Sequence, residues 1–332
     1  MIKRPWKLNH PRTALVFMAL FLAVFPPLIT LIGGDVTLAS RILILGLFGL
    51  GVDLIFGFTG LLSFGQAAFF GTGGFVAGYL MLHSVPNTLA ALAIGTLAAA
   101  ACGLVIGALS LRQVGVYFAM LTLAFGELFY FLDNSPLRGV TGGEGGITDI
   151  PRPSIALGFT TLDCSSTGAT YAFIAVVYFL AYVLMRRIIA SPFGWVLRAI
   201  LQNPERAAAS GHSTLRYKLI AFTIAAAYAG LAGGIFGSFQ GSLSPDVFSL
   251  DISGEIIVVT VIGGAGTLIG PLAGAFVWVY LQHELQTIGA IAGIWKLILG
   301  LIFVLLITGF RRGIVGGAAE LLRARRKRIA RA

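Results

Sequence analysis

The sequence predicts an all-α fold, a polytopic transmembrane helical bundle of about ten spans with both termini cytoplasmic. Three observations lead there. Of 332 residues, 57% are hydrophobic and only 11% charged, and the mean hydropathy is +0.93. A water-soluble globule of this length needs a largely polar skin, which this composition does not supply. Apolar runs near the ~20 residues that cross a hydrocarbon core recur along the chain. Lys and Arg gather at the two ends and in one central loop, as the positive-inside rule requires. The net charge of +10 therefore reads as topology with anionic lipid as a neighbour, and not as a nucleic-acid footprint.

The expected spans are Thr13–Ile32, Leu38–Phe56, Gly60–Leu82, Leu89–Leu109, Gly115–Leu132, Ala169–Met185, Leu219–Phe239, Ile252–Gly264, Pro271–Gln286 and Gly293–Thr308. The third, eighth and ninth are rich in glycine, and two of them are short, so they read as broken or re-entrant helices. With an inside N-terminus, alternation puts Lys3, Arg4, Lys7, Arg12, Arg112, the basic residues from Arg186 to Lys218 and those from Arg311 to Arg331 inside. Only Arg138 and Arg152 fall outside, and Arg41 and Lys296 sit at span ends. An odd number of spans would strand one basic terminus outside. The first span is too long for a cleaved signal and has no small-residue cleavage site after Pro26-Pro27, so it reads as a retained anchor. The chain thus divides into a basic N-terminus (1–12), a transmembrane domain (13–310) with an outside loop (133–168) and an inside loop (186–218), and a basic tail (311–332).

Chemistry-bearing patterns are missing. Each of the five lysines lacks the preceding glycine of a phosphate-binding loop. The four histidines are scattered, and Cys102 in an apolar run and Cys164 in a polar loop do not suggest a disulfide. No catalytic pair and no metal-ligand spacing is present, so the chain reads as no enzyme, with no cofactor of its own.

The inside loop carries two helix starts. Ser191-Pro192 and Asn203-Pro204-Glu205 each set a capping residue before a proline, and Glu205 lies near the positive end of its helix dipole. Gly211 is placed to stop the second helix. Two short surface helices are expected, as a docking contact or as an ordinary solvated loop. In Gly60–Gly78, Gly60, Gly65, Gly71, Gly73, Gly74 and Gly78 suit either a bent helix on a solute path or close helix packing. Ser63 and Gln66 are its polar members, free to bond a solute or the freed backbone. Asp53, Glu127 and Glu255 are acids in apolar surroundings, and such acids mark function, pair with a neighbouring helix, or sit close enough to an interface to reach water or headgroups.

Residues 191–222, SPFGWVLRAILQNPERAAASGHSTLRYKLIAF, resemble the cytoplasmic coupling loop of the branched-chain amino acid ABC permease family. The resemblance extends through Ala229–Gly233, Ser253-Gly254-Glu255 and Gly263–Pro271. Upstream it takes in Gly57–Phe69 and Thr141-Gly142-Gly143, so that it runs in order over roughly residues 38 to 310. The closest pattern is the M-type subunit. The resemblance implies an inner-membrane permease subunit of a bacterial ATP-driven importer, paired with a second permease, two ATPase subunits that bind the ATP, and a periplasmic solute-binding protein. It places Gly194, Arg198, Asn203, Pro204, Glu205 and Gly211 in the ATPase-coupling loop. Beside it, the glycine-rich segments make Gly60, Ser63, Phe64, Gly65, Gln66, Gly143, Gly264 and Gly266 the candidate residues of the translocation path, with glycine-mediated helix packing as the alternative. Two departures stand out: Gln66 where many members have His, and Asp53 where Asn is common. The solutes implied are branched-chain amino acids, with urea, short amides and aromatic acids as alternatives in the same family. An ion-coupled secondary transporter using Asp53 or Glu127 is the competing reading.

Overall fold

The structure, a computed structural model, describes residues 11–83, 87–156, 161–163, 166–287, 294–309 and 313–317. The basic N-terminal residues Lys3, Arg4 and Lys7, Cys164 and the basic residues of the tail lie outside these segments. Helices α1 (Pro11–Leu31), α2 (Val36–Thr59), α3 (Gln66–His83), α4 (Thr88–Ser110) and α5 (Val116–Asn134) come first. A short α6 (Arg138–Thr141) and a 3-10 turn at Gly143–Gly145 follow, then α7 (Thr167–Ala190), α8 (Pro192–Gln202) and α9 (Pro204–Ala209). The last four are α10 (Thr214–Gln240), α11 (Leu250–Gly263), α12 (Gly270–Thr287) and α13 (Trp295–Gly309). The fold is all-α apart from a small antiparallel hairpin, Ser154–Ala156 with Thr161–Asp163.

Every expected span coincides with a helix, but the helices are unequal. Among the described residues, five are long and apolar enough to cross a bilayer: α2, α4, α5, α7 and α10. The three glycine-rich spans are not among them. At 1.5 Å per residue, the 14 residues of α11 reach about 21 Å, short of a ~30 Å hydrocarbon core. The third span needs correction, because residues 60–65 are not helical and α3 begins only at Gln66.

Helix α2 is the axis of the bundle. Most of its residues are buried, and it packs against α7, α10, α11 and α12. Helix α10 lies across α2, α3 and α4. Glycine permits that approach: a side chain on Gly73 would collide with the Gly230 backbone, and one on Gly233 with the Phe70 carbonyl. Without a hydrophobic force between helices in lipid, such backbone contact is a main source of association. At the end remote from α8, a strap after α6 is zipped to the end of α10. The Ile147 N–H donates to the Leu243 carbonyl at 2.9 Å, and the Leu243 N–H donates back at 2.8 Å.

These contacts set a first expectation. Gly233→Ala should overpack the α3–α10 contact and cost about 1–3 kcal/mol, read as a lower melting temperature in detergent. Gly254→Ala, which meets open space on α11, should leave melting unchanged.

Candidate functional site

The break before α3 is where the sequence departs from regular helix inside the bundle. Helix α2 ends at Gly60, whose left-handed φ of +75° suits glycine. The Gly60 N–H donates to the Phe56 carbonyl and the Leu61 N–H to the Ile55 carbonyl. Backbone that leaves a helix in a dry interior must find other partners, and here side chains from distant helices provide them. The Phe64 N–H donates to Thr122 Oγ1 of α5 at 3.2 Å. The Ala67 N–H, in the first turn of α3, donates to Ser253 Oγ of α11 at 2.9 Å. Ser63 Oγ accepts from the Gly65 N–H at 3.4 Å and from Gln66 Nε2 at 3.3 Å. Gln66 is fully buried, and its Oε1 has no partner among the described residues. That leaves one acceptor at the break free for a donor.

The glycine loop between α11 and α12 closes on the last turns of α2. The Gly266 N–H donates to Asp53 Oδ1 at 2.6 Å, and a side chain on Gly57 would collide with Gly266. Asp53 is buried, and its Oδ2 has no described partner. Gly264 and Gly266 both take positive φ, +117° and +77°. Gly143 belongs to another neighbourhood, the strap, where it packs on the Arg138 side chain. The structure thus gathers Gly60, Ser63, Phe64, Gly65 and Gln66 at the break and Gly264 and Gly266 against α2, with Gly143 apart. Further along α3, an apolar cavity of about 360 Å³ opens among Thr72, Phe75, Tyr79, Ile94, Phe129 and Phe248.

Helices α8 and α9 form the second element. Helix α8 is amphipathic and buries Gly194, Leu197 and Ile200. Gly194 is required because a side chain there would collide with the Ile189 carbonyl as α7 turns into α8. Asn203 caps α9, its Oδ1 accepting from the Arg206 N–H at 2.9 Å. The expected Ser191 cap is not made: Ser191 Oγ turns back and donates to the Ile188 carbonyl at 2.6 Å, and accepts from no N–H of α8. Pro204 opens α9, Glu205 is exposed in its first turn, and Gly211 follows its end at φ +85°. Arg198 lies 5.4 Å from the Phe58 ring and 5.1 Å from Trp195. Partial burial pulls its guanidinium below the ordinary value, but a guanidinium keeps its charge in a protein, and such stacking favours Arg over Lys.

Leu201 joins the two elements. A side chain on Gly60 would meet Leu201 Cδ1 at 2.9 Å, so α8 touches the chain where the break begins. Sequence reasoning missed Thr122, Ser253, Phe58 and Leu201 as site residues. Nothing local marks Thr122 or Leu201. Ser253 stood in a family motif, with no hint that it caps another helix.

A model of the family described as branched-chain amino acid transport system / permease component matches residues 36–307. The chain belongs to that family. It is 31% identical to the high-affinity branched-chain amino acid transport system permease protein LivM of Escherichia coli over 274 residues. That is 76% of this chain and 64% of the relative. The Salmonella typhimurium LivM protein is 30% identical over the same shares. A probable branched-chain amino acid transport permease protein LivM of Methanocaldococcus jannaschii is 25% identical over 75% of this chain and 81% of its own. The chain thus spans about 64% of the length of the two bacterial relatives. No solved structure matches it. The family is one of membrane transport components and not of enzymes.

Two expectations follow. Ser253→Ala removes the acceptor of a buried N–H and should cost about 1–3 kcal/mol. Thr260→Ala, whose hydroxyl only returns to the Ile256 carbonyl of its own helix, should cost much less; thermal melts of both variants check this. Asp53→Asn keeps an acceptor for Gly266 and should hold uptake within about threefold, whereas Asp53→Ala should lower it well beyond that.

Proposed function

We propose that this chain is a permease subunit of an ATP-binding cassette importer in a bacterial inner membrane. With a second homologous permease it forms the path for branched-chain amino acids or related small polar solutes. Two separate ATPase subunits bind the ATP, and a periplasmic binding protein delivers the solute. The observation that carries this reading is the contact of α8 with the end of α2 and the start of the break, Arg198 on Phe58 and Leu201 on Gly60.

In this reading α8 and α9 face the cytoplasm, and the ATPases press on their exposed side. A rigid, capped knob transmits that displacement, because packed elements move as units and not by gradual bending. The displaced α8 carries Leu201 against Gly60 and shifts the six residues 60–65, which include Ser63 and lead directly into Gln66 at the start of α3. Gln66 Oε1 then offers its acceptor to the donor of a passing solute in one state and withholds it in the other. The chain's own contribution is positional: it orients polar groups and closes gaps with glycine contacts, and the driving free energy arrives from outside.

The test is transport by the complex in proteoliposomes. Leu201→Ala and Arg198→Ala should leave ATP hydrolysis present but lower solute uptake per ATP about tenfold or more. Unchanged uptake in both variants would remove the role of α8. Uphill accumulation by this chain alone, driven by a proton gradient, would replace the whole reading with a secondary carrier. The solute retained by the co-purifying binding protein identifies the cargo.

A further inference from the structure

Helix α5 carries an anomaly that the path does not use. Tyr117, Met120, Ala124, Glu127 and Phe131 follow one another at intervals of three, four, three and four residues, and all are exposed. Tyr117, Met120 and Phe131 keep 73%, 62% and 61% of their surface open. The opposite face of α5, with Phe118, Thr122 and Gly126, is buried against the rest of the chain. A 3-4 spacing is the seam by which one helix packs along another, and a small residue in its middle permits close approach.

Glu127 stands in that seam, and it makes no hydrogen bond or ion pair with any described residue. It lies seven residues from Asn134 and eleven from Val116, about 10 and 16 Å along the axis, in the middle third of the helix and away from both ends. An ionised carboxylate facing lipid at that depth is strongly disfavoured. A side chain on Gly126, beside it in sequence, would come within 3.8 Å of the Phe64 carbonyl oxygen and Gly65 Cα, so Glu127 is level with the break before α3.

We propose that the α5 seam is covered by a transmembrane helix of the second permease, which brings a cationic or hydrogen-bond-donating side chain to Glu127. The partner's identity as a permease rests on the function proposed above; the seam and its chemistry do not. Charge complementarity selects against a second copy of this chain. Two parallel copies meeting on this stripe set Glu127 opposite Glu127, and like charges there repel. Lipid is excluded by the carboxylate, and a covering helix also closes the side of the bundle nearest the break.

Cross-linking in the assembled complex tests this. In a Cys102→Ser, Cys164→Ser background, Ala124→Cys is labelled with a benzophenone maleimide and irradiated. The expected product joins this chain to the second permease, and Val176→Cys on the exposed face of α7 gives none. Glu127→Gln should retain the second permease within about threefold, while Glu127→Leu should lower co-purification about tenfold. Cross-links only to lipid or only to another copy of this chain would overturn the proposal, as would full assembly by Glu127→Leu. If the second permease co-purifies but Ala124→Cys never reaches it, the seam fails and the importer reading stands. If the wild-type chain captures no second permease, both fail.

Discussion

A main-chain N–H or C=O in hydrocarbon must be paired, and the rest of this structure depends on how one short interruption meets that demand. Residues 60–65 leave helical geometry within the bundle. Their donors and those of the first turn of α3 go to Thr122, Ser63 and Ser253, residues drawn from α5, the break itself and α11. Three elements are thereby tied to one point. Helix α5 cannot slide without dragging Phe64, and α11 cannot slide without uncapping α3. An interruption that would be a defect in a simple bundle becomes the joint about which the parts are organised.

Around that joint the packing is set by the lack of side chains. Gly73 and Gly233 bring α3 and α10 into backbone contact. The inner half of the bundle therefore has little slack, whereas α1, α5, α7 and α13 expose large apolar side chains. The contrast matches the two surroundings: a rigid interior shaped by backbone, and an outer layer that meets lipid or another subunit. The knob of α8 and α9 joins the rigid part, because Leu197 and Ile200 are buried while Trp195 and Leu201 keep an open side. It is firmly seated on one face and free on the other, as a contact element must be.

Much of this was legible in the sequence because it rests on local rules. Ten apolar runs became helices, since a hydrophobic segment of that length has few alternatives. The pair α8 and α9 was readable from proline and asparagine placement, although Ser191 bonds backward and does not cap. Of the three glycine-rich runs expected to be irregular, only the third is interrupted, at residues 60–65, while the eighth and ninth form the continuous helices α11 and α12; where the third restarts was not legible. Nothing in residues 60–66 says that helix resumes at Gln66, because the groups that stabilise that start stand on α5 and α11. Glu127 and Asp53 were both visible as acids in apolar runs. Only their neighbours separate them: Asp53 has a backbone donor from a distant loop, and Glu127 has no partner among the described residues. Gly143 was grouped with the path by its motif alone, and the fold sets it against Arg138.

The bond between Asp53 and Gly266 spans 213 residues of chain, and this bears on biogenesis. Helix α2 must enter the bilayer with its carboxylate before the loop that receives it has been translated. At ordinary rates of about 5–20 residues per second, that interval is on the order of ten to forty seconds. For that time the nascent protein holds an unmet polar group in its central helix, so arrival of the loop between α11 and α12, and not insertion of the early segments, is the event that locks the bundle.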